Sequence, residues 1–286
     1  MNTPLQQLVN LLSLEQLEQN VFCGQNANLG YGGSHGGQAL GQALSAVYKI
    51  VSEDRHAHSF HCYFLRKRDL ESPVIYTVDT IRSGNSFETF HVSATQEGQS
   101  ILTFTASFQT EEKGFEHHAS MPVVDSPDDL SDEYELRLQF KHMIPPKFQD
   151  VALARYPIEV RPAEPKNFYL PTVKEATNKL WFRAAGALPD DQSVHNCILA
   201  YASDFQILPT TLFPHGVSFF QPNMQVASLD HAMWFHRPFR ADDWLLYSID
   251  SPSSSGGRGL GRGQIFNQQG QLVASTMQEG IIRPKG

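Results

Sequence analysis

Only three cysteines, Cys23, Cys62 and Cys197, occur among 286 residues, odd in number and far apart. That excludes a disulfide framework and a cysteine-built zinc site, and it fits a reducing compartment. Positive charge is also scarce: 22 Lys and Arg face 30 Asp and Glu, for a net charge of −8. A broad electrostatic grip on nucleic acid or on an anionic membrane is thereby excluded, and an anionic ligand would need a local basic patch. No uninterrupted apolar run reaches the length of a spanning helix, and residues 1–20 lack the basic start and apolar middle of a secretory leader. The last residues, Arg283-Pro284-Lys285-Gly286, spell no peroxisomal address. The expected location is the cytoplasm, with neither nucleic acid nor membrane as a partner.

What is present is ordinary globular material, 41% hydrophobic and 18% charged. The length exceeds the usual span of about 100–200 residues per domain, which points to two domains or two fused halves. Residues 37–51 are rich in Ala, Leu and Val and read as a buried helix, with Gly36-Gly37 allowing another backbone to pass close to its start. Period-two runs at 74–79, 87–94 and 101–109 read as antiparallel strands, the last two joined by a turn at 96–99. From 111 to about 151 the pattern dissolves into charges and prolines (Pro122, Pro127, Pro145, Pro146), with a short helix predicted within 133–143.

The order then repeats. Strands are expected at 158–161 and 179–184, a helix at 193–212, and further strands at 231–235, 244–249, 263–266 and 272–278. Tyr76 matches Tyr247, Gly98 matches Gly270 and Gln99 matches Gln271 at nearly one offset, the mark of an internal duplication. The expected organisation is an N-terminal unit over 1–112, a linker over 113–150 and a C-terminal unit over 151–286. The fold class is α+β, each unit a long central helix wrapped by an antiparallel sheet.

Several motifs compete to carry chemistry. Gly32-Gly33-Ser34-His35-Gly36 fits the G-x-S-x-G nucleophile elbow, so a serine esterase built on Ser34 is one reading. The elbow needs a hydrophobic strand just before it, whereas residues 24–31 are rich in Asn and Gly. His56, His58 and His61 cluster, as do His231 and His236, but no recognised metal-ligand spacing appears and no metal is expected. Residues 251–263, with Arg258 and Arg262, are glycine-rich yet match no phosphate-binding loop, and read as a mobile connection between strands. Arg66-Lys67-Arg68, Arg237 and Arg240 could present cations to phosphates.

Asp204 stands out because, on a helix over 193–212, it shares one apolar stripe with Cys197, Tyr201 and Leu208. An acid there is either held by structural partners or put to chemical use, and its spacing leaves both open. The duplication sharpens the choice. Asp204 falls opposite Ala46, Ser228 opposite Ala57 and Gln278 opposite Ala106. Three polar residues against three alanines are expected of a duplicated protein that kept one chemical site and lost the other.

Gly36-Gly37-Gln38, Gly41-Gln42-Ala43-Leu44, His58-Ser59-Phe60-His61, Tyr63-Phe64-Leu65-Arg66, Gly84-Asn85-Ser86-Phe87 and Thr105-Ala106-Ser107-Phe108-Gln109 carry a further signal. So do Tyr201-Ala202-Ser203-Asp204, Asp230-His231, Trp234-Phe235-His236-Arg237-Pro238-Phe239 and Gln278-Glu279-Gly280. Through these stretches nearly the whole chain resembles the acyl-CoA thioesterase II family, the double-hotdog thioesterases. The resemblance implies a double hotdog, hydrolysis of fatty acyl-CoA to fatty acid and CoA, no cofactor, and assembly into a homodimer or homotetramer.

It also implies that Asp204, Ser228 and Gln278 hold the attacking water, with serine where the family often has threonine. The chemistry suits them, because a thiol with a pKa of about 8.5 leaves as thiolate with little help and needs no covalent intermediate. Gly36, Gly37 and Arg258 are the expected substrate contacts, the glycines as oxyanion donors at a helix start. A non-catalytic acyl-CoA-binding module is the remaining alternative.

Overall fold

The computed structural model describes residues 3–29, 35–144, 146–165, 171–219 and 221–285. The N-terminal part runs α1 (Pro4–Leu12), β1 (Glu15–Glu18), β2 (Val21–Gly24), α2 (Gly36–Tyr48), β3 (Arg55–Phe64), β4 (Val74–Ser83), β5 (Phe87–Gln96) and β6 (Gln99–Thr110). Two short helices follow, α3 (Glu133–Gln139) and α4 (Pro146–Ala152). The C-terminal part runs β7 (Ile158–Pro162), β8 (Thr177–Ala184), α5 (Gln192–Ser203), α6 (Ile207–Thr210), β9 (Met224–Ser228), β10 (Asp230–Phe235), β11 (Leu245–Ser255), β12 (Arg258–Asn267) and β13 (Leu272–Pro284).

α2 is buried almost all round, from Gly37 to Leu44 and at Ala46 and Val47, as expected of a helix that is apolar on every face. Its polar members are satisfied inside: Gln42 donates to the carbonyls of Leu11 and Gln25, each at 2.8 Å, and accepts from the Tyr76 hydroxyl at 2.8 Å. Along β5 and β6 buried and half-buried residues alternate, so one face of each strand closes on α2. In the C-terminal part α5 is likewise buried from His195 to Ser203, its apolar residues in one core with Tyr247, Ile249, Ile265 and Val273.

All strands form one antiparallel sheet in the order β1-β2-β4-β5-β6-β3-β10-β13-β12-β11-β8-β7, with β9 added on β13. The two halves join edge to edge at β3 and β10, where Phe60 faces Met233 and Cys62 faces His231. An offset of 171 carries each of those pairs into the other, so the joint is a two-fold axis in the register itself. The same offset turns the Tyr76–Ala94 pair into Tyr247–Ile265. The second hairpin turn is one residue longer, so β6 maps onto β13 with an offset of 172: Ala94–Leu102 becomes Ile265–Ala274. Ala57 and Ala106 therefore occupy the sheet positions of Ser228 and Gln278.

Three expectations are corrected. The helix expected over 193–212 stops at Ser203 with Asp204 as its C-cap; Gln206 then adopts a left-handed backbone (φ 60°) and α6 starts afresh. Asp204 thus ends a helix and shares no continuous stripe with Leu208. Residues 251–263 are no mobile connection but the β11–β12 hairpin, with Gly256 and Gly257 in its exposed turn and Gly259, Gly261 and Gly263 buried along β12: a Cβ on Gly261 would lie 2.9 Å from the Ile207 carbonyl oxygen, so α6 rests directly on the strand. β3 is a full strand the period-two pattern does not announce.

The chain between the halves is laid on the outer face of the C-terminal sheet. Met121, Val124 and Leu130 pack on Trp181, Trp244, Leu246, Phe266 and Leu272, and the Trp181 indole donates to the Asp125 carbonyl at 2.9 Å. Among the described residues no helix is long and apolar enough to cross a membrane.

Candidate active site

α2 and α5 cross at the centre, and their closest approach depends on a missing side chain. A Cβ on Gly37 would come within 2.1 Å of the Tyr201 carbonyl oxygen. With glycine there, the C-terminal end of α5 is brought onto the N-terminal end of α2, and Asp204 meets the first turn of the opposite helix. Its Oδ2 accepts from the Gly37 N–H at 3.0 Å. No side chain of α2's own N-cap, His35, does that work. The carboxylate thus sits at the unfavourable end of its own helix dipole and at the favourable end of its neighbour's.

The other carboxylate oxygen, Oδ1, accepts from Gln278 Nε2 at 3.0 Å, and the same nitrogen donates to Ser228 Oγ at 2.7 Å. Three residues expected from the sequence to act together are therefore joined by one amide, although they come from the end of α5, the end of β9 and the middle of β13. With both amide hydrogens in use, Gln278 Oε1 must accept, and it faces His231 Nδ1 at 2.8 Å. His231 Nε2 lies 2.9 Å from Ser203 Oγ. Burial pushes the His231 imidazole below its ordinary value, against Asp204 and Gln278, which favour its charge. The neutral ring donates at Nδ1 and so fixes which way the Gln278 amide points, while its Nε2 shares the Ser203 hydroxyl with the Ala200 carbonyl, 2.8 Å from Oγ.

Ser228 Oγ takes the Gln278 hydrogen as an acceptor, which leaves its own proton for a further acceptor. The Asp230 carboxylate accepts from the Glu279 N–H at 2.7 Å, tying β10 to the strand beside Gln278. Tyr247 donates its hydroxyl to the Ser203 carbonyl at 2.8 Å, so the end of α5 is anchored to the sheet beneath it.

His35, which the sequence offered only inside the Ser34 motif, stands on the other side of Asp204. Its Nδ1 is 3.2 Å from Asp204 Oδ2, and both side chains are nearly buried. The ring stacks on Phe205 with centroids 4.7 Å apart. His231 was visible in the sequence only beside His236 and as part of a resembling stretch, yet the offset that matches Ala57 to Ser228 also sets Phe60 opposite it.

Other expected residues divide. Gly36 and Gly37 are at the site, a Cβ on Gly36 reaching 2.9 Å from Asp204 Oδ2. The Gly37 N–H is already given to Asp204. Arg258 begins β12, half exposed, with Nε 3.0 Å from Glu279 Oε1. It is three positions along β12 from Gly261, the strand partner of Gln278, or about 10 Å away. Arg68 is corrected: it is buried, donating to the His35 carbonyl and to Gln38 Oε1, both at 3.1 Å, and presents no cation outward. His58 and His61, both on β3, lie edge-on to Phe87 and Trp234. Ser34 lies outside the described residues.

Comparison with known proteins agrees with this architecture half by half. The acyl-CoA thioesterase family profile matches residues 148–281, and that of the acyl-CoA thioesterase N-terminal domain matches 27–109. Acyl-CoA thioesterase 2 of Haemophilus influenzae is 43% identical over 99% of both chains. The crystal structure of acyl-CoA thioesterase II TesB2 from Mycobacterium marinum superposes with a TM-score of 0.80 at 39% identity, covering 98% of this chain and 99% of that one. A protein of unknown function with a hotdog fold from Alicyclobacillus acidocaldarius, 19% identical, shares the fold over 98% of this chain and 99% of its own with a TM-score of 0.78. Relatives of that identity over the full length place the chain in the acyl-CoA thioesterase family, as a thioester hydrolase of double-hotdog fold.

Proposed function

We propose that the protein hydrolyses fatty acyl-CoA by direct attack of a water held by Asp204, Ser228 and Gln278. The observation that carries this reading is the Gln278 amide, which bridges Asp204 Oδ1 and Ser228 Oγ at 3.0 and 2.7 Å and sets a base and a hydroxyl around one point. The water gives one proton toward the Asp204 carboxylate and accepts from Ser228, keeping a lone pair for the carbonyl carbon. The C–O bond forms, the C–S bond breaks, and the thiolate leaves with the bonding pair and takes up the proton that Asp204 removed. Gly36, at the start of α2, is the proposed donor to the developing oxyanion, while Gly37, whose N–H is held by Asp204, aims the base; Arg258 is the proposed contact for the anionic CoA moiety.

Thiol release from acyl-CoA of graded chain length, followed for wild type and Asp204→Asn, tests the reading. General-base catalysis is worth about 10²–10⁴-fold, so the variant is expected to lose turnover by that order while keeping its circular dichroism and melting temperature. Unchanged turnover in a folded Asp204→Asn protein overturns it, and a matching loss in Ser34→Ala with fluorophosphonate labelling would point to the serine instead.

A further inference from the structure

His35 has an unusual hydrogen-bonding problem. Its Nδ1 faces Asp204 Oδ2 at 3.2 Å and its Nε2 faces the Tyr201 carbonyl oxygen at 3.2 Å. Neither an ionised carboxylate nor a carbonyl has a hydrogen to give, so each nitrogen must donate if its contact is to be a hydrogen bond. A neutral imidazole carries one N–H and satisfies one of the two; only the imidazolium satisfies both. The ring cannot easily turn away, being stacked on Phe205 with an interplanar angle of 12° and set edge-on to Tyr201 with centroids 4.9 Å apart.

The surrounding charges are divided. Burial and the Arg68 guanidinium, which donates to the His35 backbone carbonyl, oppose the imidazolium, while Asp204 and the Tyr201 carbonyl favour it. His231, on the far side of Gln278, would be a like charge if protonated. Their net direction is downward from the ordinary histidine value, with burial the largest cause. The ring is therefore neutral at neutral pH and gains its second proton only below the ordinary histidine range, at a point 3.2 Å from the carboxylate that the proposed mechanism uses as base.

We propose that His35 is a positioning residue that switches Asp204 between two states: a free base when the ring is neutral, and an ion-paired, less basic carboxylate when the ring is charged. The inference rests on the reading of Asp204 as the base. In the charged state Oδ2 receives hydrogens from both Gly37 and His35 while Oδ1 receives one from Gln278, which leaves little electron density to draw a proton from water. In the neutral state the Gly37 and Gln278 bonds still aim the carboxylate, and its basicity returns.

The test is the pH profile of kcat for acyl-CoA hydrolysis in wild type, His35→Phe and His35→Gln. Phenylalanine keeps the stacking on Phe205 without a titrating proton, and glutamine keeps a donor without a charge. In wild type kcat is expected to fall as pH drops through the titration of His35. In both variants that acidic limb moves down by about one pH unit or more, which is about tenfold more turnover at its foot relative to the plateau. An acidic limb at the same pH in all three proteins overturns the proposal.

Histidine ring NMR titration supplies a readout independent of turnover and of the His35 variants' folding. The resonance of His35 should titrate at lower pH in Asp204→Asn than in wild type, because the carboxylate that favours its charge is gone; an unmoved midpoint overturns the pairing. Failure of the base reading is separate: it would appear as retained turnover in Asp204→Asn, whatever the His35 resonance does.

Discussion

The two halves share strand register residue for residue, and differ in what they put at one place. In the C-terminal half Gln278, His231 and Ser228 form a connected polar set at the end of α5. At the same sheet positions the N-terminal half has Ala106, Phe60 and Ala57, with Phe60 stacked on Phe104 at 4.9 Å. Both versions fill the space beside the central helix. One does so with apolar surface, which needs no partners; the other with groups that must each find a donor or acceptor. The polar version is tolerable only because every member is bonded, from Ser203 through His231 and Gln278 to Asp204 and Ser228. The scaffold can be filled by either set, so stability alone does not call for the polar one, which supports the proposal that function is exercised there.

Exchanging residues between the halves breaks this comparison, most strongly at Gln278. Gln278→Ala copies Ala106 into the C-terminal half. It removes the bridge between Asp204 and Ser228 and strands the His231 Nδ1–H in the core, at a stability cost of about 1–3 kcal/mol. Turnover is expected to fall by about 10²–10³-fold, the usual consequence of losing a preorganised donor. The reverse change, Ala106→Gln, should cost stability of the same order, leave turnover within about twofold, and create no second site, since Phe60 offers its amide nothing. Steady-state kinetics beside urea unfolding separates the two; equal losses of turnover would show that the halves are not chemically distinct.

The next exchange is subtler. His231→Phe copies Phe60 and keeps a planar ring in the same slot, so the fold should survive. What is lost is the donor that fixes the Gln278 amide. With Oε1 unclaimed the amide can turn over and present oxygen to Asp204, a repulsive contact. A kcat loss of about tenfold, with KM nearly unchanged, is expected of a residue that only aims another. A KM effect without a kcat effect would assign His231 to substrate binding instead.

Much of this was legible before the structure, and the illegible parts have identifiable causes. The duplicated strands were readable because Tyr76 and Tyr247, and the turn glycines Gly98 and Gly270, keep nearly one spacing. That Ser228 and Gln278 would meet Asp204 was readable because resemblance and the opposing alanines agreed. β3 was hidden by its own bulge between Ala57 and Ser59, which brings Ala57 and Phe60 to the inner face three positions apart and breaks the two-residue period. The end of α5 was hidden because α6 also buries its apolar residues, Ile207 and Leu208, so the helical spacing runs on across a break that only the left-handed Gln206 reveals. His35 was hidden because its partner is 169 positions away in the chain, and nothing local distinguishes it from a loop histidine.

A pH experiment sharpens the same contrast. Burial holds the His231 imidazole below its ordinary value of about 6.5, so on acidification the unfolded chain takes up the proton first. The stability that His231 contributes as a neutral group is complete above about pH 6.5 and is lost as pH falls below it, at up to about 1.4 kcal/mol per pH unit. His35, His58, His195 and His236 are shifted the same way, so the wild type should show a combined acid-side loss. His231→Phe should be measurably flatter between pH 7.5 and 5.5 in urea unfolding. A slope equal to wild type would mean that His231 is not held neutral in the folded protein.

The smallest expected effect concerns Arg258, whose counterpart at the 171 offset is Phe87. Arg258 is half exposed and its partner Glu279 is a surface carboxylate, so the pair contributes little to folding, about 0–1 kcal/mol. Arg258→Phe should therefore leave the melting temperature and kcat nearly unchanged. If the guanidinium meets the phosphates of CoA, an exposed contact of up to about 1 kcal/mol corresponds to a KM increase of up to about fivefold. That increase should shrink as salt is raised, because screening weakens the wild-type contact and cannot weaken one that phenylalanine never makes. A KM ratio between wild type and variant that is flat in salt would remove Arg258 from the substrate contacts and leave Glu279 as its sole purpose.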